Sequence, residues 1–477
     1  MGQEIRTHDF TDDDFEAFRR RLRDETELLA RLAAEGGMAE GWPTAGFELE
    51  VWLVDRHWRP AAINERFLER MQNPLVTHEL SRYNLELNGA HLPLREDLFS
   101  AMSAELDETL AASRRVAESM AAELVCIGIL PSLEPEMLDL EAMSRLERYR
   151  ALNEQVFRLR GGRPLLLDIV GHDHLRREHH DVMLEAAATS FQLHLQVPAS
   201  RAVRFYNASL LASAYTVALG ANSPWLFGFD LWDETRIPLF EQSVDVGGYA
   251  GARGGPLRRV TFGSGYLRDS LVECFRENEE HFPVLLPMVS DDDPLQFSHL
   301  RLHNGTIWRW NRPLVGFDGD GRPHLRIEHR VMPGGPTVED MFANAAFYYG
   351  LVAWLADMRD PPEAQLPFSQ VRDNFYLAAR HGLQAQIRWL DGQRGTVAAL
   401  LEREVLAMAR AGLRLLEVAP EEIRRFMGVV EARVRTGQNG AAWQRRWVAK
   451  HGREMVALTA AYAERQWRGE PVHGWDV

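Results

Sequence analysis

Phe47-Glu48-Leu49-Glu50-Val51 is the stretch on which the reading of this chain turns. A two-residue period sends Phe47, Leu49 and Val51 to one side of a strand and both glutamates to the other. Leu85-Glu86-Leu87-Asn88 repeats the pattern, with Glu86 and Asn88 on the polar side. Gln192-Leu193-His194-Leu195-Gln196-Val197 adds Gln192, His194 and Gln196, and Arg326-Ile327-Glu328-His329-Arg330-Val331 adds Arg326, Glu328 and Arg330. A wet antiparallel face alternates in the same way without binding anything. Here, however, the polar positions are mainly Glu, Asn, Gln, His and Arg, and Ser, Thr and Lys are scarce among them. If these faces converge on a concave sheet, roughly three or four carboxylates collect in one cleft, which is unfavourable unless cations neutralise them. Hard oxygen ligands favour Mg²⁺ or Mn²⁺ together with the phosphates of a nucleotide.

Around these strands the chain alternates short period-two runs with helical segments from Thr44 to about Val331, without repeats or a low-complexity linker. Helices are expected near 96–122, 141–160, 174–187, 200–220 and 268–280, then at 338–358, 370–390, 396–415, 420–436 and 440–467. An Asp-rich start followed by Phe15, Phe18, Leu22 and Leu29 predicts a further amphipathic helix over 12–35. The expected organisation is an N-terminal helical arm over 1–40, an α+β core over 41–337 and a helical C-terminal layer over 338–477. The core is expected to be a curved, mainly antiparallel sheet with a polar concave face, surrounded by helices. The uncharged run from Phe205 to Phe229 contains Asn207, Ser209, Ser213, Thr216, Asn222, Ser223 and Pro224, so a buried helix followed by a loop is expected in place of a membrane span.

Composition narrows the chemistry. The 477 residues carry 54 basic and 69 acidic side chains, a balance of −15 that argues against a surface built for nucleic acid or anionic lipid. Lys450 is the only lysine, leaving 53 arginines of the 54 basic residues. Unless Lys450 serves, this removes a P-loop, a kinase-type strand lysine and a pyridoxal Schiff base. Cys126 and Cys274 are too few for a disulfide framework or a thiolate cluster, and the N-terminal residues lack the apolar core of a secretory signal; both point to the cytoplasm.

The segments GFELEVWLVD, ELSRYNLELN, SFQLHLQV, ALGANSPWLFG followed by Asp233-Glu234-Thr235-Arg236, LRIEHRV, and Asp373-Asn374-Phe375 with AARHGL resemble the glutamate-cysteine ligase and carboxylate-amine ligase family over roughly residues 44 to 445. The resemblance implies a glutamine-synthetase-like fold, related to that of guanido kinases, with a metal-lined concave sheet. It implies Glu48, Glu50, Glu79, Glu86 and Glu328 as metal ligands. Arg330 matches the arginine that faces the transferred phosphate or the amino-acid carboxylate, and Arg236 resembles a substrate-site arginine. Gln192 and His194 fall where many relatives have His-x-His; the leading glutamine resembles the plant-type enzymes and leaves open whether His194 binds metal, nucleotide or the cysteine substrate.

The implied reaction uses ATP with Mg²⁺ or Mn²⁺ to phosphorylate the side-chain carboxylate of glutamate, after which an amine displaces phosphate to form an amide. Cysteine is the family's default acceptor, and relatives join other carboxylate and amine pairs. An amino-acid or nucleotide-binding regulatory protein without turnover is the alternative from another class. No nucleic-acid or membrane partner is expected, and the chain is expected to be a monomer or homodimer.

Other features read more plainly. Gly171-His172-Asp173-His174 with His179-His180-Asp181 is expected to be a solvated helix entry capped by Asp173, against a substrate or nucleotide contact and a zinc site. Trp308 and Trp310, like Trp443, Trp447 and Trp467, are expected in packing roles. The glycine- and arginine-rich stretch Gly247 to Gly265 is either a surface loop or an arginine-bearing lid over phosphates.

Overall fold

The computed structural model describes residues 9–246 and 258–477. Its centre is an eight-stranded sheet made of β1 (Thr44–Asp55), β2 (Val76–His78), β3 (Asn84–Asn88), β4 (Leu92–Pro93), β5 (Ala122–Val125), β6 (Ser190–Val197), β7 (Asn311–Phe317) and β8 (Pro323–Pro333). The strand order is β7-β8-β6-β1-β3-β2, with β4 and β5 pairing on β1, and every pairing in this sheet is antiparallel. The four strands expected from alternation are therefore neighbours, and they form the middle of the sheet.

Alternation also sets which face is dry. Phe47, Leu49, Val51, Phe191 and Leu193 are buried. Phe47 and Phe191 both pack on Phe342, with ring centroids at 5.4 and 5.7 Å. Burying each such side chain contributes about 1.5–3 kcal/mol. The cover on this side comes from helices α2 (Ala202–Gly220) and α4 (Val338–Asp357), which pack on each other. Both are buried along nearly their whole length. Inside α2, Ser209 and Ser213 satisfy their hydroxyls on the carbonyls of Phe205 and Ser209, at 2.8 and 2.7 Å, which makes polar residues tolerable in a buried helix.

Residues 397–415 then cross α4 so closely that a Cβ on Gly412 would meet the Gly350 carbonyl oxygen at 1.8 Å. The helices at Pro420–Thr436, Gly440–His451 and Met455–Arg468 complete the C-terminal part. Helix α1 (Asp12–Ala34) starts with a capping box at Thr11 and Asp14, and packs on the helices at Val272–His281 and Ser298–Gly305. Among the described residues, no helix is long and apolar enough to cross a membrane.

The structure corrects several expected elements. Residues 174–187 are not a helix: Leu165–Val170 and His174–His179 form an antiparallel hairpin, and Val182–Ala187 is a 3-10 turn. Only Leu175 is buried along the second strand, so the segment carries no clear period of either kind. Asp173 caps no helix; it accepts from the Asp230 N–H at 2.9 Å and pairs with Arg453 at 2.8 Å. The helix expected over 370–390 spans Phe368–His381 and gives way to a short strand at Gln386–Arg388. The helix expected over 440–467 breaks at Gly452, whose φ of +88° favours glycine. Trp310 and Trp443 are core residues, and Trp308 packs against Phe240 at 6.0 Å. Residues 247–257 of the glycine-rich stretch lie outside the described residues.

Candidate active site

The polar face of the sheet gathers the expected side chains by register alone. Glu50 stands opposite Glu86 across β1 and β3, Glu48 opposite Gln192 across β1 and β6, and Glu328 opposite His194 across β8 and β6. Between His329 and Met332 the pairing of β8 with β6 slips. Arg330 sits in that irregularity, where an extra residue re-aims a side chain next to a site. There its guanidinium donates to Gln192 Oε1 and, at 2.9 Å, to Glu328 Oε2.

Glu48, His194 and Glu328 present ligand atoms that all lie within 4.8 Å of one another, and among the described residues they are the one such grouping of His, Cys, Asp and Glu. His194 Nε2 is 3.2 Å from Glu48 Oε1, yet the ring lacks hydrogen-bond geometry at either nitrogen although both are buried. An imidazole without a hydrogen-bond partner between two carboxylates fits a divalent cation, for which nitrogen and carboxylate oxygen are competent donors. Glu328 is already engaged: Arg312 grips it with two bonds of 2.8 and 2.9 Å, and Arg330 adds a third. A carboxylate offers about four lone-pair sites, so one remains for a metal. Burial alone would raise the Glu328 carboxyl, but Arg312 and Arg330 outweigh it and hold the group well below the usual carboxylate range.

A second carboxylate group adjoins the first. Glu50 accepts from the Ser190 N–H at 2.7 Å and from Gln192 Nε2 at 2.9 Å, so Gln192 links Glu50 to Arg330. Glu79, in the loop between β2 and β3, is raised well above the usual range by burial and then by Glu86 and Glu50. Glu86 is raised by burial and by Glu48. Glu50, Glu79 and a further acid, Glu185, line a cavity of about 30 Å³ together with Ser190, Phe240, Arg236 and Arg330. Burial, followed by Glu50, pushes Glu185 up to about 7. Repulsion of this kind asks for a cation or protons. Of the five acids expected as ligands, two thus converge with His194 and three form the neighbouring cluster.

Arg236 opens the short helix α3 (Arg236–Ser243) and is 2% exposed. Its Nε donates to Glu234 at 3.0 Å, while its terminal nitrogens reach the carbonyls of Arg330 at 3.3 Å and Val331 at 2.5 Å. It therefore clamps the backbone of the irregular segment that carries Arg330, and it also borders the cavity. The histidines of the hairpin do not join the site: His174 pairs with Asp168 at 2.8 Å and His179 with Asp181 at 2.6 Å.

Sequence reasoning missed two residues. Arg312 lies one strand beyond the recognised motifs and becomes visible only through its register with Glu328. Glu185 is a lone acid among apolar neighbours in the segment expected to be helical.

Known proteins share the family and the fold. Residues 44–470 match the family model of glutamate-cysteine ligase family 2. No curated protein sequence matches the chain. Among solved structures, glutamate–cysteine ligase from Francisella tularensis in complex with AMP resembles it with a TM-score of 0.52 at 11% identity, covering 92% of this chain and 91% of that one. A bifunctional glutathione synthetase from Pasteurella multocida gives a TM-score of 0.45 at 12% identity, with 92% of this chain and 54% of that one covered, so this chain spans about half of it. The first of these likenesses speaks for the fold, a helix-flanked antiparallel sheet of the same kind.

Proposed function

This chain belongs to glutamate-cysteine ligase family 2 and is an ATP-dependent carboxylate-amine ligase, and from that premise we propose that it joins the side-chain carboxylate of glutamate to the amine of cysteine. The observation that carries the reading is the convergence of Glu48, His194 and Glu328 on one point, with Arg330 bonded to Glu328 at its border.

In this reading Glu48, His194 and Glu328 hold one Mg²⁺ or Mn²⁺, and Glu50, Glu79 and Glu86 hold a second. Bound there, the metal ions supply charge neutralisation on the ATP phosphates during in-line transfer. The Arg330 fork suits the equatorial oxygens of the transferred phosphoryl group. Gln192 fixes the height of that fork by accepting one N–H while donating to Glu50, and Arg236 holds the backbone beneath it. Phosphorylated glutamate is then attacked by the amine: the C–N bond forms, the bond from the acyl carbon to oxygen breaks, and phosphate leaves with the electron pair. The acceptor enters as an ammonium and loses two protons to solvent, one to free the lone pair that attacks and one as the amide forms. The buried carboxylate face excludes bulk water from the acyl phosphate, which favours aminolysis over hydrolysis.

The test is ADP release by purified protein with ATP, Mg²⁺ and glutamate against a panel of amines, with mass analysis of the product. Release that needs both glutamate and cysteine, with a product of the condensed mass, is expected. Stimulation by a different amine would replace the acceptor, and the absence of stimulation by any pair would overturn the substrate assignment.

A further inference from the structure

Glu185 stands apart from the other acids of the site. Glu50 is held by Ser190 and Gln192, Glu328 by Arg312 and Arg330, and Glu234 by Arg236 and the Asn222 N–H. Among the described residues, the Glu185 side chain makes no hydrogen bond; burial and the charges of Glu50 and Glu79 weigh against its ionised form, and Arg330 favours it. It lines the 30 Å³ cavity that Arg330 also borders. Ser190 lines the same cavity, is 4% exposed, and its Oγ has no hydrogen-bond partner. The cavity therefore offers a carboxylate and a hydroxyl, both with unused acceptor capacity, beside the arginine that faces the phosphoryl group.

Charge restricts what enters. The cavity has room for at least a water-sized group. The walls carry Glu50, Glu79 and Glu185 against Arg236 and Arg330. Arg236 already serves Glu234 and two carbonyls, and Arg330 serves Glu328 and Gln192. With Glu50 and Glu79 assigned above to a metal ion, Glu185 is, among the described residues, the acid of this lining with no cation bonded to it, and it selects a cationic group. Glu185 also lies outside the one grouping whose ligand atoms converge as a metal centre does.

We infer that Glu185, with Ser190, binds the ammonium group of the incoming amine substrate and so determines which acceptors the enzyme uses. This inference rests on the ligase reading above. The amine waits next to the acyl phosphate that Arg330 faces, and a neutral or anionic nucleophile gains nothing from this pocket.

Glu185→Gln keeps the shape of the side chain and removes its charge. The experiment compares cysteine, which enters as an ammonium, with hydroxylamine, which is largely uncharged at neutral pH and gives a coloured hydroxamate from the same acyl phosphate. A hydrogen bond to a charged group contributes about 1.5–3 kcal/mol. The ratio of kcat/KM for cysteine to kcat/KM for hydroxylamine is therefore expected to fall by about tenfold or more in Glu185→Gln. Ser190→Ala, tested in parallel, is expected to lower it by a smaller factor in the same direction. Because the measure is a ratio within one preparation, partial misfolding cancels. An unchanged ratio in both variants would overturn the assignment. Wild-type protein that forms neither product from glutamate and ATP would instead sink the ligase substrate reading itself, which separates the two failures.

Discussion

Arg312 and Glu328 face each other across β7 and β8 as a two-pronged pair, with Nε to Oε2 at 2.8 Å and Nη2 to Oε1 at 2.9 Å. Both are buried, at 8% and 1% exposure. The pair fixes the rotamer of a carboxylate that the proposed function assigns to a metal. Arg312 thus orders the site from the strand behind it, as outer partners of metal ligands commonly do.

Removing Arg312 leaves Glu328 buried with Arg330 still bonded to it. Arg312→Ala is therefore expected to destabilise the protein in urea unfolding by less than the about 3–5 kcal/mol that an uncompensated buried charge costs. Arg312→Lys keeps the charge but loses the fork, and is expected to fall between the two proteins. The pH dependence follows from the depressed Glu328 carboxyl. Its contribution is fully present above the unfolded value of about 4.3 and is lost as pH falls below it. The stability difference between wild type and Arg312→Ala should shrink under acid, and a difference that stays constant down to strong acid would contradict the pairing.

His194 Nε2 stands 3.2 Å from Glu48 Oε1 and neither ring nitrogen meets hydrogen-bond geometry, so replacing it takes that contact from Glu48 and leaves the strand ladder untouched. His194→Ala is expected to retain the wild-type far-ultraviolet circular dichroism. Its Mn²⁺ affinity, read by electron paramagnetic resonance, should fall by at least the roughly 10–100-fold that outer partners of metal ligands cost. Glu50→Gln and Glu48→Gln should abolish amide formation with the fold intact. Near-normal turnover in either would remove the metal assignment.

How much of this could be read in advance depended on period and partner. Glu48, Glu50, Glu86, Gln192, His194 and Glu328 were legible because each sits in a strand whose other face is apolar, interrupted only by His329 beside Glu328, so alternation alone sends them one way. Which strands would be neighbours was not in the alternation, and it came only with the structure. The slip between His329 and Met332 that positions Arg330 leaves no mark in the residue pattern, because His329-Arg330-Val331 still alternates. The segment 174–187 misled because a two-stranded ribbon with one buried leucine has no face to reveal its period. In contrast, Gly452 followed by Arg453 was a visible stop within 440–467.

Arg236 shows how a matched residue can act at one remove. Its guanidinium joins Glu234 to the carbonyls of Arg330 and Val331. Arg236→Leu is expected to lower kcat strongly and to destabilise the fold by about 3–5 kcal/mol, since Glu234 is left buried and unpaired. Adding Glu234→Leu should recover much of the stability and none of the rate, because the support beneath Arg330 stays missing. Recovery of rate along with stability would show that the clamp has no bearing on Arg330.

The cluster of acids makes a distinct prediction for the metal-free protein. Glu50, Glu79, Glu86 and Glu185 are all raised, in each case first by burial. A carboxyl raised in the folded state means that the folded chain binds more protons than the unfolded one between the two values. Stability must then fall as pH rises through that window. The window opens near the ordinary carboxylate value of about 4.3 and extends to about 7 for Glu185. Thermal unfolding of metal-free protein should therefore show a melting temperature that declines across this range. Mg²⁺ relieves the same repulsion, so its stabilising shift should be small at the acid end and grow toward neutral pH. A shift of equal size at both ends would mean that the cation does not bind among these carboxylates.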